Sequence, residues 1–169
     1  MLNCSACVNE LDLINLNPSF VRLNLSLGLT SVEYDPELEK IKKMIIFNDK
    51  NSSTNVFCLK NLQSLQLINT NLSLLPDISN LKNLELLQIE STCTLTKYYI
   101  PPEIGELTRL SGLILRNIYN LTYLPDEIGQ LQRLQSLTLA QLPSLQNIPS
   151  ISMDNLTKLR TLSLEDIPK

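Results

Sequence analysis

An apolar–x–apolar pair recurs seven times along the 169 residues, usually at the end of a run of leucines three apart. The pairs are Leu23/Leu25, Met44/Ile46, Leu65/Leu67, Leu87/Ile89, Leu113/Leu115, Leu137/Leu139 and Leu162/Leu164, and successive first members stand 21, 21, 22, 26, 24 and 25 residues apart. A sustained period of roughly 20–29 residues means one unit repeated and stacked, because a single unit of that size cannot bury its own apolar face. The chain is therefore expected to form a solenoid. Such a fold offers an extended surface rather than a catalytic pocket.

The repeats align on their leucines. Leu62, Leu65 and Leu67 lead to Leu72 and Leu75-Pro76; Leu81, Leu84, Leu87 and Ile89 lead to Leu95 and Ile100-Pro101. Leu107, Leu110, Leu113 and Leu115 open the next unit and Leu131, Leu134, Leu137 and Leu139 the one after. Leu156, Leu159, Leu162 and Leu164 open a last one, cut short after Ile167-Pro168. Upstream, Leu38, Ile41, Met44 and Ile46 match the pattern, as do Phe20, Leu23 and Leu25 with one substitution. Residues 1–19 read as an N-terminal cap or degenerate repeat, and residues 20–169 as a repeat domain of about seven units.

Each apolar–x–apolar pair reads as a short strand whose alternate residues face opposite sides. Pro76, Pro101, Pro125 and Pro149 stand where the chain must turn back, and proline suits the first position of a turn because it has no donor to lose there. Two returns read Pro102-Glu103-Ile104-Gly105-Glu106-Leu107 and Pro125-Asp126-Glu127-Ile128-Gly129-Gln130-Leu131. Acidic residues after the proline favour a helical N-terminus. The glycine is expected to take the left-handed conformation that ends such a turn.

On these motifs the chain resembles a leucine-rich repeat protein over residues 20–169. The Leu-Pro-x-x-Ile-Gly-x-Leu-x-x-Leu form is similar to repeats of intracellular Ras-suppressor-like proteins, plant immune receptors and bacterial effectors. The resemblance implies a curved α/β solenoid with a parallel sheet on the concave face and short helical or 3-10 turns on the convex face. It also implies a protein-binding module, or the recognition part of a larger ligase or kinase, or an effector acting on a host protein. One feature departs from the family: the position three after the second strand leucine, often asparagine, holds Gly28, Asp49, Thr70, Thr92, Ile118, Leu142 and Ile167.

The outward strand positions are mostly polar or small, as a solvated sheet face requires. The exceptions are Ile45, Phe47, Ile68, Leu86 and Ile114, and an apolar patch with a polar rim is a candidate protein-binding site. The expected partner-binding residues are Lys43, Ile45, Phe47, Gln66, Ile68, Leu86, Gln88, Glu90, Ile114 and Arg116. Tyr98, Tyr99, Tyr119 and Tyr123 lie on the returns, where tyrosine packs its ring and leaves its hydroxyl wet. The last unit has no polar cap, so its edge is expected to make an end-to-end contact or to belong to a longer chain.

Other chemistries find little support. There is no histidine, the commonest general base, and no catalytic, metal or cofactor site is expected. Lys40, Lys42 and Lys43 are the densest basic run in a chain of net charge -3, so no nucleic-acid partner is expected. No apolar stretch is long enough to span a membrane. The N-terminal segment lacks the charge and apolar core of a signal peptide, which favours the cytoplasm and leaves export by another route open. The sequons at Asn3, Asn24, Asn51, Asn71, Asn120 and Asn155 arise readily from Asn- and Leu-rich repeats. Cys4, Cys7, Cys58 and Cys93 read as free thiols, with a disulfide as the alternative.

Overall fold

The computed structural model describes residues 29–35, 40–47, 54–70, 76–91 and 98–168. Among them seven strands form one sheet in sequence order: β1 (Leu29–Asp35), β2 (Lys40–Phe47), β3 (Ser64–Ile68), β4 (Leu86–Glu90), β5 (Gly112–Arg116), β6 (Ser136–Ala140) and β7 (Thr161–Glu165). From β2 onward every pairing is parallel and unshifted. Met44 stands beside Leu65, Leu65 beside Leu87, and so on through Leu113, Leu137 and Leu162. The second ladder is Ile46, Leu67, Ile89, Leu115, Leu139 and Leu164. The fold is a curved α/β solenoid with its parallel sheet on the concave side.

The leucines three apart build the corner between each return and the next strand. Leu107 N–H donates to Ile104 O and Leu110 N–H to Leu107 O; Leu131 and Leu134 repeat this with Ile128 and Leu131. A spacing of three is the spacing of 3-10 hydrogen bonds, so the same residues close the turn and point into the core. Single 3-10 turns occupy Thr54–Cys58, Pro76–Asn80, Pro102–Glu106 and Asp126–Gln130, and a five-residue α-helical turn occupies Ser150–Asp154. Pro101 and Pro125 cap two of them with φ of -71° and -69°. Asp77, Glu103, Asp126 and Glu127 fall in first turns, where the backbone N–H groups point outward.

One ladder of leucines and isoleucines fills the interior, with Phe57 as its one large aromatic among the described residues. Ile118 and Leu142, at the position where the family often has asparagine, are buried in that core, and Ile167 packs partly against it. Thr70 is buried at the equivalent place two units before Ile118. Gly28, Asp49 and Thr92 lie outside the described residues, as does the Leu23/Leu25 unit. Among the described residues no buried side-chain nitrogen or oxygen lacks a partner.

Three observations correct or extend the reading of the sequence. First, Gly105 does not adopt the left-handed conformation. A Cβ built there would sit 2.7 Å from Glu127 O and 3.0 Å from Glu127 Cβ, so glycine is needed because the next turn passes too close. The left-handed residues stand instead directly after the strands: Asn69, Asn117, Gln141 and Asp166, with φ of 52°, 55°, 54° and 49°. Second, Cys58 is disulfide-bonded rather than free. Its pairing is made by the fold and leaves no trace in local spacing; Cys4, Cys7 and Cys93 lie outside the described residues. Third, β1 runs antiparallel to β2, with a bulge between Glu33 and Tyr34. No repeat period announces that strand.

Candidate functional site

The concave face is a grid of outward side chains three deep along each strand. The first ladder reads Lys43, Ser64, Leu86, Gly112, Ser136, Thr161; the second Ile45, Gln66, Gln88, Ile114, Thr138, Ser163; the third Phe47, Ile68, Glu90, Arg116, Ala140, Glu165. Strand neighbours in such a grid lie about 4.8 Å apart, so β2 to β5 span roughly 15 Å. All ten residues expected at the site lie on this one face, within four adjacent strands. Lys43 is exposed and the other nine are half-buried.

The apolar members do not form one continuous patch. Phe47 pairs directly with Ile68, and Ile45 lies two residues along the same strand, which makes one island over β2 and β3. Leu86 and Ile114 make a second, diagonal island over β4 and β5. Gln66 and Gln88, paired side by side, run between the islands as a polar seam. Gly112 governs the second island: a Cβ there would meet Leu86 Cδ1 at 2.9 Å, so the leucine side chain leans over the bare backbone of its neighbour.

The charged rim sits on the third ladder, where Glu90 stands beside Arg116. Asn117 donates from Nδ2 to Glu90 Oε1 at 3.2 Å and orients that carboxylate. Asn117 is absent from the residues singled out by sequence. Its signal is its place in the left-handed corner after the strand, a conformation that asparagine tolerates better than most residues. Away from this face, Tyr99, Tyr119 and Tyr123 are exposed on the returns, and Tyr123 pairs with Asn147 in an isolated parallel bridge.

The turns of successive repeats are tied side by side. Asn83 Nδ2 donates to Lys60 O at 2.9 Å, Arg109 Nη1 to Asn83 Oδ1 at 2.8 Å, and Ser111 Oγ to Glu85 O at 3.0 Å. Lys82 pairs with Glu106 at 2.7 Å on the exposed surface. These bonds tie each turn to the next along the edge of the sheet from which the strands start. Among the described residues no three His, Cys, Asp or Glu side chains converge to hold a metal, and no helix is long and apolar enough to cross a membrane.

The pattern of the leucine-rich repeat region family matches residues 38–166. This chain belongs to the leucine-rich repeat family. A leucine-rich repeat protein from Leptospira interrogans is 31% identical with a TM-score of 0.61, over 94% of this chain and 46% of that one. The leucine-rich repeat domain of the type III effector XopL is 32% identical with a TM-score of 0.56, over 68% of this chain and 38% of that one. The plant peptide hormone receptor RGFR1, solved in complex with RGF2, shares the fold at 19% identity and a TM-score of 0.61, over 80% of this chain and 25% of that one. The chain thus spans less than half the length of each of these three structures. No curated protein sequence matches it.

Proposed function

We propose that this module binds its protein partner on the concave face and carries no catalysis of its own. The partner would seat apolar side chains on Ile45, Phe47 and Ile68 and on Leu86 and Ile114. Gln66 and Gln88 would meet its backbone between the two islands, and Lys43, Glu90 and Arg116 would set charge and register at the rim. The observation that carries this reading is the placing of five large apolar residues on the outward side of a sheet whose other outward residues are polar or small. Interfaces of this kind concentrate their energy in a few such anchors inside a polar rim.

The 32% identity to the repeat domain of a type III effector favours a second, compatible reading, in which the module recognises a target for a larger protein such as an effector or a ligase. Both readings are tested by capture from lysate with wild type beside the triple variant Phe47→Gln, Ile68→Thr, Ile114→Thr, with circular dichroism to confirm the fold. The expected result is a partner retained by wild type and lost by the folded variant. A partner held equally by both refutes the concave-face assignment.

A further inference from the structure

The edge from which the strands start carries positive charge that its own carboxylates do not neutralise. The corner between each return and its strand places one residue four positions before the first strand leucine. In successive units that residue is Asn83, Arg109, Arg133 and Lys158, ahead of Leu87, Leu113, Leu137 and Leu162. The strands pair without a shift, so these corner residues stand side by side. Thr108, Gln132 and Thr157 precede the three cations, and the six side chains, all exposed, line a groove of about 480 Å³. Three successive units line it, so it runs along the stack. The units of Arg109 and Arg133 have neighbours on both sides, so the groove does not arise from where the chain stops.

Upstream the edge neutralises itself, since Lys82 pairs with Glu106 at 2.7 Å. Downstream it does not. Arg109 Nη1 donates to the neutral Asn83 Oδ1 at 2.8 Å, and among the described residues no carboxylate engages Arg109, Arg133 or Lys158. Three cations across two strand spacings, about 10 Å, repel one another until an anion joins them.

The surroundings select that anion. Asp126, Glu127 and Asp154 line a second groove that shares Gln132 and Thr157 with the first. The positive strip is therefore narrow, and a broad polyanion would lie across those carboxylates too. No aromatic side chain lines the basic groove to stack a base, and no large apolar one lines it to enter a lipid surface. An extended polypeptide is narrow enough, and its residues two apart set their side chains on one side about 7 Å from each other. Two carboxylates so spaced fall among the three cations, and each guanidinium can hold one by two parallel hydrogen bonds.

We infer that this groove holds an extended acidic segment of a protein partner, with Asp or Glu at alternate positions facing Arg109, Arg133 and Lys158. The groove is separate from the concave-face site, and either can fail without the other.

The probe is a fluorescein-labelled peptide of alternating glutamate and serine, about eight residues long, titrated with the full chain and read by fluorescence anisotropy. At about 100 mM salt it should bind saturably with a Kd below about 500 µM, weakened at least about threefold by 500 mM salt. Arg133→Glu should weaken binding at least about tenfold, and Arg133→Lys less than about threefold. Lys60→Glu makes the same charge change about 15 Å away on the same edge, beyond a Debye length of about 10 Å, and should weaken it less than about twofold. Arg133 and Lys60 are exposed, and circular dichroism checks that each variant is folded. Absence of saturable binding overturns the inference, as does equal weakening by Arg133→Glu and Lys60→Glu. A thymidine oligonucleotide of equal charge that binds as tightly, and loses as much with Arg133→Glu, overturns it as well.

Discussion

Gly105→Ala is expected to lower stability by about 1–2 kcal/mol. The added methyl carbon would lie 2.7 Å from Glu127 O, 2.8 Å from Gln130 Oε1 and 3.0 Å from Glu127 Cβ. Gln130 is exposed and its side chain can swing away, but the Glu127 carbonyl belongs to the backbone of the adjoining turn. Reaching an ordinary carbon–oxygen contact means parting two turns by roughly 0.5 Å. Overpacking of this kind costs about 1–3 kcal/mol, and the reduced freedom of the unfolded alanine chain returns about 0.4–1 kcal/mol. At about 2–4 °C per kcal/mol for a chain of this length, the thermal midpoint should fall by roughly 2–8 °C. Gly112→Ala is the control. Its new methyl meets only the end of the Leu86 side chain, and alanine suits a strand better than glycine, so its midpoint should stay or rise slightly. Thermal unfolding followed by circular dichroism at one fixed protein concentration reads both. The reasoning fails if Gly105→Ala is as stable as wild type, or if Gly112→Ala loses more.

Three further outcomes follow from positions in the repeat. Leu113→Ala, fully buried in the middle of its ladder, should cost about 3–4 kcal/mol, whereas Leu162→Ala at the half-exposed end of the same ladder should cost roughly 1 kcal/mol; urea unfolding compares them. Gln141 holds φ of 54° without the local hydrogen bonding that makes asparagine tolerant there, so Gln141→Gly should raise stability by about 0.5–1 kcal/mol, and a drop in the urea midpoint would contradict the strain argument. Reducing the Cys58 disulfide should remove about 2–4 kcal/mol, seen as a midpoint lowered by dithiothreitol in wild type and insensitive to it in Cys58→Ser.

The strands of the repeat were legible because their information is local and periodic. Met44/Ile46 and its five successors place β2–β7, and the exact alignment of these pairs in the sheet follows from each unit having the same shape. The outward grid was legible for the same reason, since alternation along a strand assigns Ile45, Phe47 and Ile68 to one face once Met44 and Ile46 are assigned to the other. What alternation does not carry is the relation between neighbouring units. It does not tell that Gln66 and Gln88 divide the apolar residues in two, or that Leu86 leans across Gly112. The role of Gly105 was misread because a glycine after a turn suggests backbone freedom, whereas here it marks the approach of another segment 22 residues away, Glu127. The Cys58 disulfide and β1 are non-local in the same sense, one a pairing of distant thiols and the other a strand outside the period.

Among the described residues the antiparallel strand β1 stands at one margin of the sheet. There the strand direction reverses and a bulge between Glu33 and Tyr34 breaks the regular pleat, a device that discourages further strands from adding. A reversed, bulged strand is a poor template for a further parallel unit, so among the described residues the regular stacking of the repeats begins at β2 and not at β1.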